Sequence, residues 1–284
     1  MLLFHISFTV FNPNMKSTLI SALENRLFTQ SQTIAIADVN GVSRSYHDLG
    51  RRVARIQNLF PIDEPRVVGI ILDQSIELIE TTLAVVMSGA TVINADPEAD
   101  SMEIKDNFQR SGVEFVMTIP RYASKVSGFL QVHLSDTAIG KANEKPLIEM
   151  PGENAYALRV DSGFMTHSEV MAISQKFVRT SSIHERDIIL QVSTPNEAGF
   201  VREVFGSLLI GGKMVVMPKK AHNNAKKILE YAEVEGVTII SAPVWLMEDI
   251  ISQRLSVPTS IRLYIDTSEM CAQSFIPEQV AQIL

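Results

Sequence analysis

The chain has 284 residues, 46% of them apolar and 20% charged, with 25 Lys plus Arg against 32 Asp plus Glu. A net charge of −7 argues against nonspecific nucleic-acid binding, which rests on neutralising phosphates. The single cysteine, Cys271, excludes an internal disulfide and a cysteine-rich metal site, so the chain reads as a soluble, cytoplasmic α/β protein.

Residues 1–11 (MLLFHISFTVF) are apolar but lack the basic region and cleavage site of a leader. They also fall far short of the roughly 20 residues that a spanning helix needs, and no other segment approaches that length, so no membrane partner is expected. Residues 1–14 read either as an extension ahead of Met15 or as a first strand or apolar arm. Residues 17–30 place Leu19, Leu23 and Leu27 at helical spacing. Residues 33–39 are a β-run closed by Asn40-Gly41, with 43–46 returning as the partner strand. Residues 47–59 are a helix with Leu49, Val53 and Ile56 on one face. The continuous apolar run 66–72 (RVVGIIL) suits a parallel strand buried on both sides. Helices at 75–88 and 102–111 then alternate with strands at 91–94 and 114–118.

Residues 141–151 (KANEKPLIEMP) are polar and carry two prolines, which marks a boundary between subdomains at 15–150 and 151–284. Beyond it, strands at 155–160, 188–192, 213–217, 238–241 and 262–265 alternate with helices at 167–179, 201–209, 224–235 and 244–254. The pattern predicts an α/β fold of mostly parallel sheets with helices on both faces. No internal repeat is visible in the sequence.

Generic catalytic signatures are absent: no G-x-G-x-x-G, G-x-x-x-x-G-K-[ST], H-E-x-x-H or G-x-S-x-G. The six histidines, His5, His47, His133, His167, His184 and His222, show no metal-ligand spacing and read as surface or hydrogen-bonded side chains. Gly211-Gly212-Lys213 joins a helix to a strand, so it reads as a helix C-cap rather than a phosphate loop. Lys213, Lys219, Lys220, Lys226 and Lys227 read as a solvated face, and Trp245 as core.

Larger blocks carry more information. Ser45-Tyr46-His47-Asp48-Leu49, then LAVVMSGATVINADP at 83–97, then IKDNFQRSGVEFVMT at 104–118, resemble the N-terminal half of an adenylate-forming enzyme. That superfamily shows S/T-Y-x-E-L, then L-x-A-G-A-x-x-V-P-L-D-P, then a strand ending V-x-T. Residues 187–218, 236–246 and 261–269 resemble its next blocks, closest to the adenylation domains of nonribosomal peptide synthetases. The likeness covers nearly all of residues 17–284.

The same resemblance implies departures at the chemistry. The family's phosphate loop, T-S-G-[ST]-T-G-x-P-K-G, is replaced by Asp161-Ser162-Gly163-Phe164, and Asp161 adds negative charge where phosphates sit. Two like charges 4 Å apart repel by about 4 kcal/mol at an effective dielectric near 20. Ala198 stands where the amino-acid branch holds the substrate ammonium with an aspartate, and Ile240, Tyr264 and Asp266 fall on the acyl-pocket wall. Thr267-Ser268-Glu269 replaces the turn beside the adenine. The chain stops at Leu284, after a helix expected from Pro277, and the family's later segments with their catalytic lysine are not in it.

The resemblance therefore implies an adenylation-domain-like protein that is not itself a competent ligase, with no catalytic residues, metal or cofactor of its own. It would act as a noncatalytic binding or partner subunit, as a homo-oligomer or on a protein partner, with a small acyl or amino-acid ligand in the remnant pocket. The alternative is one part of a split enzyme, completed by another chain and using ATP and magnesium for acyl or aminoacyl adenylation.

Overall fold

The computed structural model describes residues 18–152, 154–266 and 274–275. Helix α1 (Leu19–Leu27) is capped by the Thr18 hydroxyl, which accepts from the Ser21 N–H. The turn at Asn40-Gly41 closes a hairpin of β1 (Ile34–Asp38) and β2 (Ser43–Ser45). Ser45 caps α2 (Tyr46–Gln57), whose Leu49, Val53 and Ile56 are fully buried as their spacing requires. Strands β3 (Val67–Ile71), β4 (Thr91–Asn94) and β5 (Phe115–Thr118) are linked by α3 (Ile76–Met87) and α4 (Ser101–Arg110). A 3-10 helix (Pro120–Val126), β6 (Leu130–His133) and α5 (Asp136–Lys141) follow, none of them legible as a sequence period.

The second half opens on a hairpin of β7 (Tyr156–Val160) and β8 (Gly163–Thr166), then α6 (His167–Thr180). It continues through β9 (Ile188–Gln191), α7 (Ala198–Ile210), β10 (Lys213–Val216), α8 (Ala225–Glu235) and β11 (Ile239–Ala242). Helix α9 (Trp245–Ser252), β12 (Leu263–Asp266) and β13 (Ser274–Phe275) complete the described chain. Gly211 ends α7 in the left-handed region at φ 84°, the C-cap that its place before β10 predicts.

One sheet has seven strands in the order β13-β12-β11-β9-β10-β1-β2, the other six in the order β6-β5-β3-β4-β7-β8. Leaving β13 aside, the two orders are the same winding: β3, β4 and β5 correspond to β9, β10 and β11. Such a repeat is carried by periodicity and turn placement, not by residue identity, which is why the sequence shows none. Each sheet also takes a hairpin from the other half of the chain. The β1–β2 pair joins β10, and the β7–β8 pair joins β4. The sheets therefore do not divide at residue 150.

Parallel strands β3, β4 and β5 bury both faces. Val68, Ile70 and Val92 face a central helical layer of α1, α2, α3, α6 and α7, while Ile71, Ile93 and Val116 meet Ile104 and Phe108 of α4. In the larger sheet Met214 and Val216 face the same central layer, and Leu190, Val215 and Ile240 face α8 and α9. The layers thus run α, β, α, β, α. The central layer is tight at Gly50 of α2, where a Cβ would fall 2.1 Å from the Leu27 carbonyl oxygen of α1. Among the described residues, no helix is long and apolar enough to cross a membrane.

Candidate functional site

In open α/β sheets a crevice forms beyond the carboxyl ends of two adjacent strands whose connections leave on opposite faces. Strand β3 hands the chain to α3 in the central layer, whereas β4 hands it to α4 on the outer face. Strand β9 likewise leads to α7 inside, and β10 to α8 outside. Each sheet therefore has such a point, and both open into one small, solvent-open cleft. Leu72, Gln74 and Leu78 line it from beyond β3, Asn94 to Pro97 from β4, Thr194 to Asn196 from beyond β9, and Lys219 from beyond β10.

Polar contacts across the cleft join the sheets. The Gln74 amide donates to Gln191 Oε1 at 2.8 Å and to the Ser193 carbonyl at 3.2 Å. Lys219 Nζ lies 2.5 Å from Asp96 Oδ2 and 3.2 Å from Glu98 Oε2. Burial is the largest single influence and works to raise the Asp96 carboxyl, but the Lys219 bond, the Glu98 N–H and the charges of Lys219 and Lys125 together outweigh it, and the group sits below its ordinary value. Behind the β9 loop lies Glu203 of α7, fully buried. It accepts from the Val192 N–H (3.1 Å), the Ser193 N–H (3.0 Å), the Ser193 hydroxyl (2.7 Å) and the Gln191 amide (3.2 Å). Burial pushes its carboxyl up to about 7, against the hydrogen bonds that work to lower it. The Glu203 carboxyl thus fixes the segment that forms one wall of the cleft.

The position of the family's phosphate loop is a tight hairpin here. Val160 pairs with Gly163, which leaves Asp161 and Ser162 as the two turn residues. Gly163 adopts φ 128°, and the Asp161 N–H donates to the Asn196 carbonyl at 2.7 Å. A phosphate needs free backbone N–H groups or an unpaired cation. At this turn the Asp161 N–H is occupied and Asp161 itself is exposed, while the cleft's lysine is held by two acids. Neither the Asp161 N–H nor the lysine of the cleft is thus left free for a phosphate. Among the described residues no group of three or more His, Cys, Asp or Glu could hold a metal ion.

The proposed acyl-pocket residues are not gathered around one cavity. Ile240 and Tyr264 are cross-strand partners packed into the core beneath α8 and α9. The Tyr264 hydroxyl donates to the carbonyls of Ala242 (3.0 Å) and Pro243 (2.6 Å). Ala198 is exposed at the start of α7, a helix of the central layer on the other side of that sheet. The side chain of Asp266, the segment Thr267-Ser268-Glu269, the helix after Pro277 and residues 1–14 lie outside the described residues.

Two expectations are corrected. His167, read as surface or hydrogen-bonded, is buried with neither ring nitrogen bonded, and burial pushes its ring down to about 4. The lysine set is not simply solvated: besides Lys219, Lys213 pairs with Glu235 at 2.8 Å. Trp245 is partly buried against the α8–α9 core, as read. Sequence reasoning passed over Gln74, Asn94, Gln191 and Glu203. For Asn94 and Gln191 the signal available was a polar residue closing an apolar run at the carboxyl end of a parallel strand.

A family model described as AMP-binding enzyme matches residues 23–158. Over those residues, a little under half of the chain, its sequence is similar to that of AMP-binding enzymes. Bacitracin synthase 2 of Bacillus licheniformis is 23% identical over 191 residues, covering 65% of this chain and 7% of that protein. Tyrocidine synthase 2 of Brevibacillus parabrevis is 22% identical over 233 residues, 78% of this chain and 6% of that protein. Among solved structures, the nonribosomal peptide synthetase FmoA3 superposes with a TM-score of 0.81 at 19% identity, covering 94% of this chain and 29% of that one. ATP-bound MatB from Rhodopseudomonas palustris gives 0.76 at 20% identity, covering 89% of this chain and 55% of that one. The adenylate-forming fold is thus present here over a small part of the relatives' length.

Proposed function

We propose that this adenylation-domain-like chain is a noncatalytic binding or partner subunit and does not itself activate a carboxylate with ATP. The observation that carries this reading is the two-residue turn at Asp161-Ser162, where the resemblance places a glycine- and hydroxyl-rich phosphate loop. Adenylyl transfer relies on positioning and on charge stabilisation at phosphorus, and this turn supplies neither. Within the reading, the cleft is the ligand site and the sheet edges are the contact surfaces. Strand β8 ends the smaller sheet and carries Phe164 stacked on Tyr156, ring centroids 5.0 Å apart, with both rings close to half exposed. The test is exchange of labelled pyrophosphate into ATP with pooled amino and carboxylic acids. The reading expects a rate at background; acid-dependent exchange above background rejects it and favours the split-enzyme alternative.

A further inference from the structure

The cleft holds an amide with no partner. Asn94 closes β4, is only 4% exposed, and neither its Oδ1 nor its Nδ2 makes a hydrogen bond. A buried amide left in this state is costly, so its presence calls for an explanation. Asn94 shares the face of β4 with Val92, which looks into the central layer and the cleft, and it pairs in register with Ile70 of β3. It therefore stands at the switch point itself. The family pattern L-x-A-G-A-x-x-V-P-L-D-P has proline at the place of Asn94, so the amide is a feature of this chain rather than of the fold.

The rest of the lining defines what the amide could meet. Leu72, Leu78, Pro97 and Pro195 are apolar. Asp96 and Lys219 neutralise one another, so the walls offer an incoming ligand no unpaired cation, and Glu98 adds negative charge at the rim. Gln74 Oε1 is a second buried polar atom without a partner. Asn94 offers an open donor and an open acceptor and Gln74 an open acceptor, which together match a group that both donates and accepts: a primary carboxamide, which pairs with an Asn side chain through two hydrogen bonds. The last torsion of Asn is broad, so the group can turn toward a ligand at little cost.

We propose that the cleft binds a small uncharged molecule that carries a primary carboxamide on an apolar body, with Asn94 as its principal hydrogen-bonding partner. This goes beyond the noncatalytic reading and does not depend on it. The probe is benzamide, followed by saturation-transfer NMR on the full chain, with benzoate as the control of the same shape and opposite fit to the acidic rim. Benzamide is expected to give a saturable signal, with benzoate weaker by about tenfold or more, the equivalent of one hydrogen-bonded pair. Asn94→Leu is expected to abolish the benzamide signal without lowering the melting temperature, because it removes an unpaired buried amide. Thr194→Trp, which fills the cleft from a loop, is the second variant and is expected to abolish the signal too. No signal from wild type, equal binding of benzoate, or a signal unchanged in either folded variant overturns the proposal. Addition of ATP and magnesium separates the two readings. Displacement of benzamide by ATP would refute the noncatalytic reading and leave the site standing, whereas silence from benzamide refutes the site alone.

Discussion

Glu203→Ala is expected to destabilise the fold by about 4 kcal/mol, because it strips four donors of their acceptor and leaves a cavity in a closed core. At about 2–4 °C per kcal/mol, the melting temperature should fall by on the order of 10 °C. Two of the four donors are the consecutive backbone N–H groups of Val192 and Ser193, which have no other acceptor in reach of the β9 turn. Glu203→Gln keeps one acceptor oxygen and the shape, so its loss should be smaller. The pair also gives a signed pH dependence. Glu203 releases its proton at an ordinary value of 4.5 when unfolded and at about 7 when folded. Between those values the folded state holds more protons, so this group's contribution falls as pH rises from about 4.5 through about 7 and is constant above. Chemical denaturation of wild type and Glu203→Gln across pH 5–8 measures it: the gap between them should shift in the variant's favour as pH rises. A gap that does not move with pH would remove the buried, titrating carboxyl from the account.

Glu80→Ala is expected to cost about 3–5 kcal/mol, the usual price of stranding a buried charge. Glu80 on α3 is fully buried and bridges Arg44 Nε on β2 at 3.2 Å and Arg52 Nε on α2 at 2.7 Å. It ties the hairpin lent to the larger sheet to the helical layer beneath the smaller one. Burial pushes its carboxyl up against the pull of the two arginines. Removing the carboxyl alone leaves Arg52, itself mostly buried, with only the exposed Asp136 at 3.6 Å. The double variant Glu80→Leu, Arg52→Leu removes both ends and should therefore lose less than the sum of the single changes. Urea unfolding of the four proteins gives the coupling directly, and additive losses would show that the pair is not a unit.

Much of the fold was legible because parallel sheets write themselves plainly. The run at 66–72 could only be a strand covered on both faces, and Leu49, Val53 and Ile56 could only be one side of a helix. The turn at Asn40-Gly41 and the cap at Gly211 follow from backbone conformations that few residues adopt. What escaped had weak local signals. Strand β6 has no buried residue, its two ends being exposed and its centre half-buried, and β8 is a four-residue edge whose only buried side chain is Met165. The exchange of hairpins between sheets was invisible for another reason: it is decided by which strand edge is vacant, and a single strand's pattern does not record its neighbour. The site followed the same logic. The missing phosphate loop could be counted off between strand and helix, but Asn94 and Glu203 gain their meaning only when two sheets close over them. Asn94 looked like the polar end of a strand, and Glu203, beside Arg202, like one of two charges on an otherwise apolar helix. The residues assigned to an acyl pocket, Ile240 and Tyr264, were placed on the correct strands, and their partners turned out to be core side chains and backbone carbonyls.

The central claim is that the turn at Asp161-Ser162 cannot hold a nucleotide. Titration calorimetry of the purified chain with ATP and magnesium, and with AMP alongside, tests it most directly. The account predicts no heat of binding from either nucleotide and no rise in melting temperature. A ligand at about a hundred times its dissociation constant would stabilise the fold by about 2.7 kcal/mol, a shift large enough to see. Stoichiometric binding of ATP in the micromolar range would contradict the claim and return the chain to the nucleotide-using members of the superfamily it resembles.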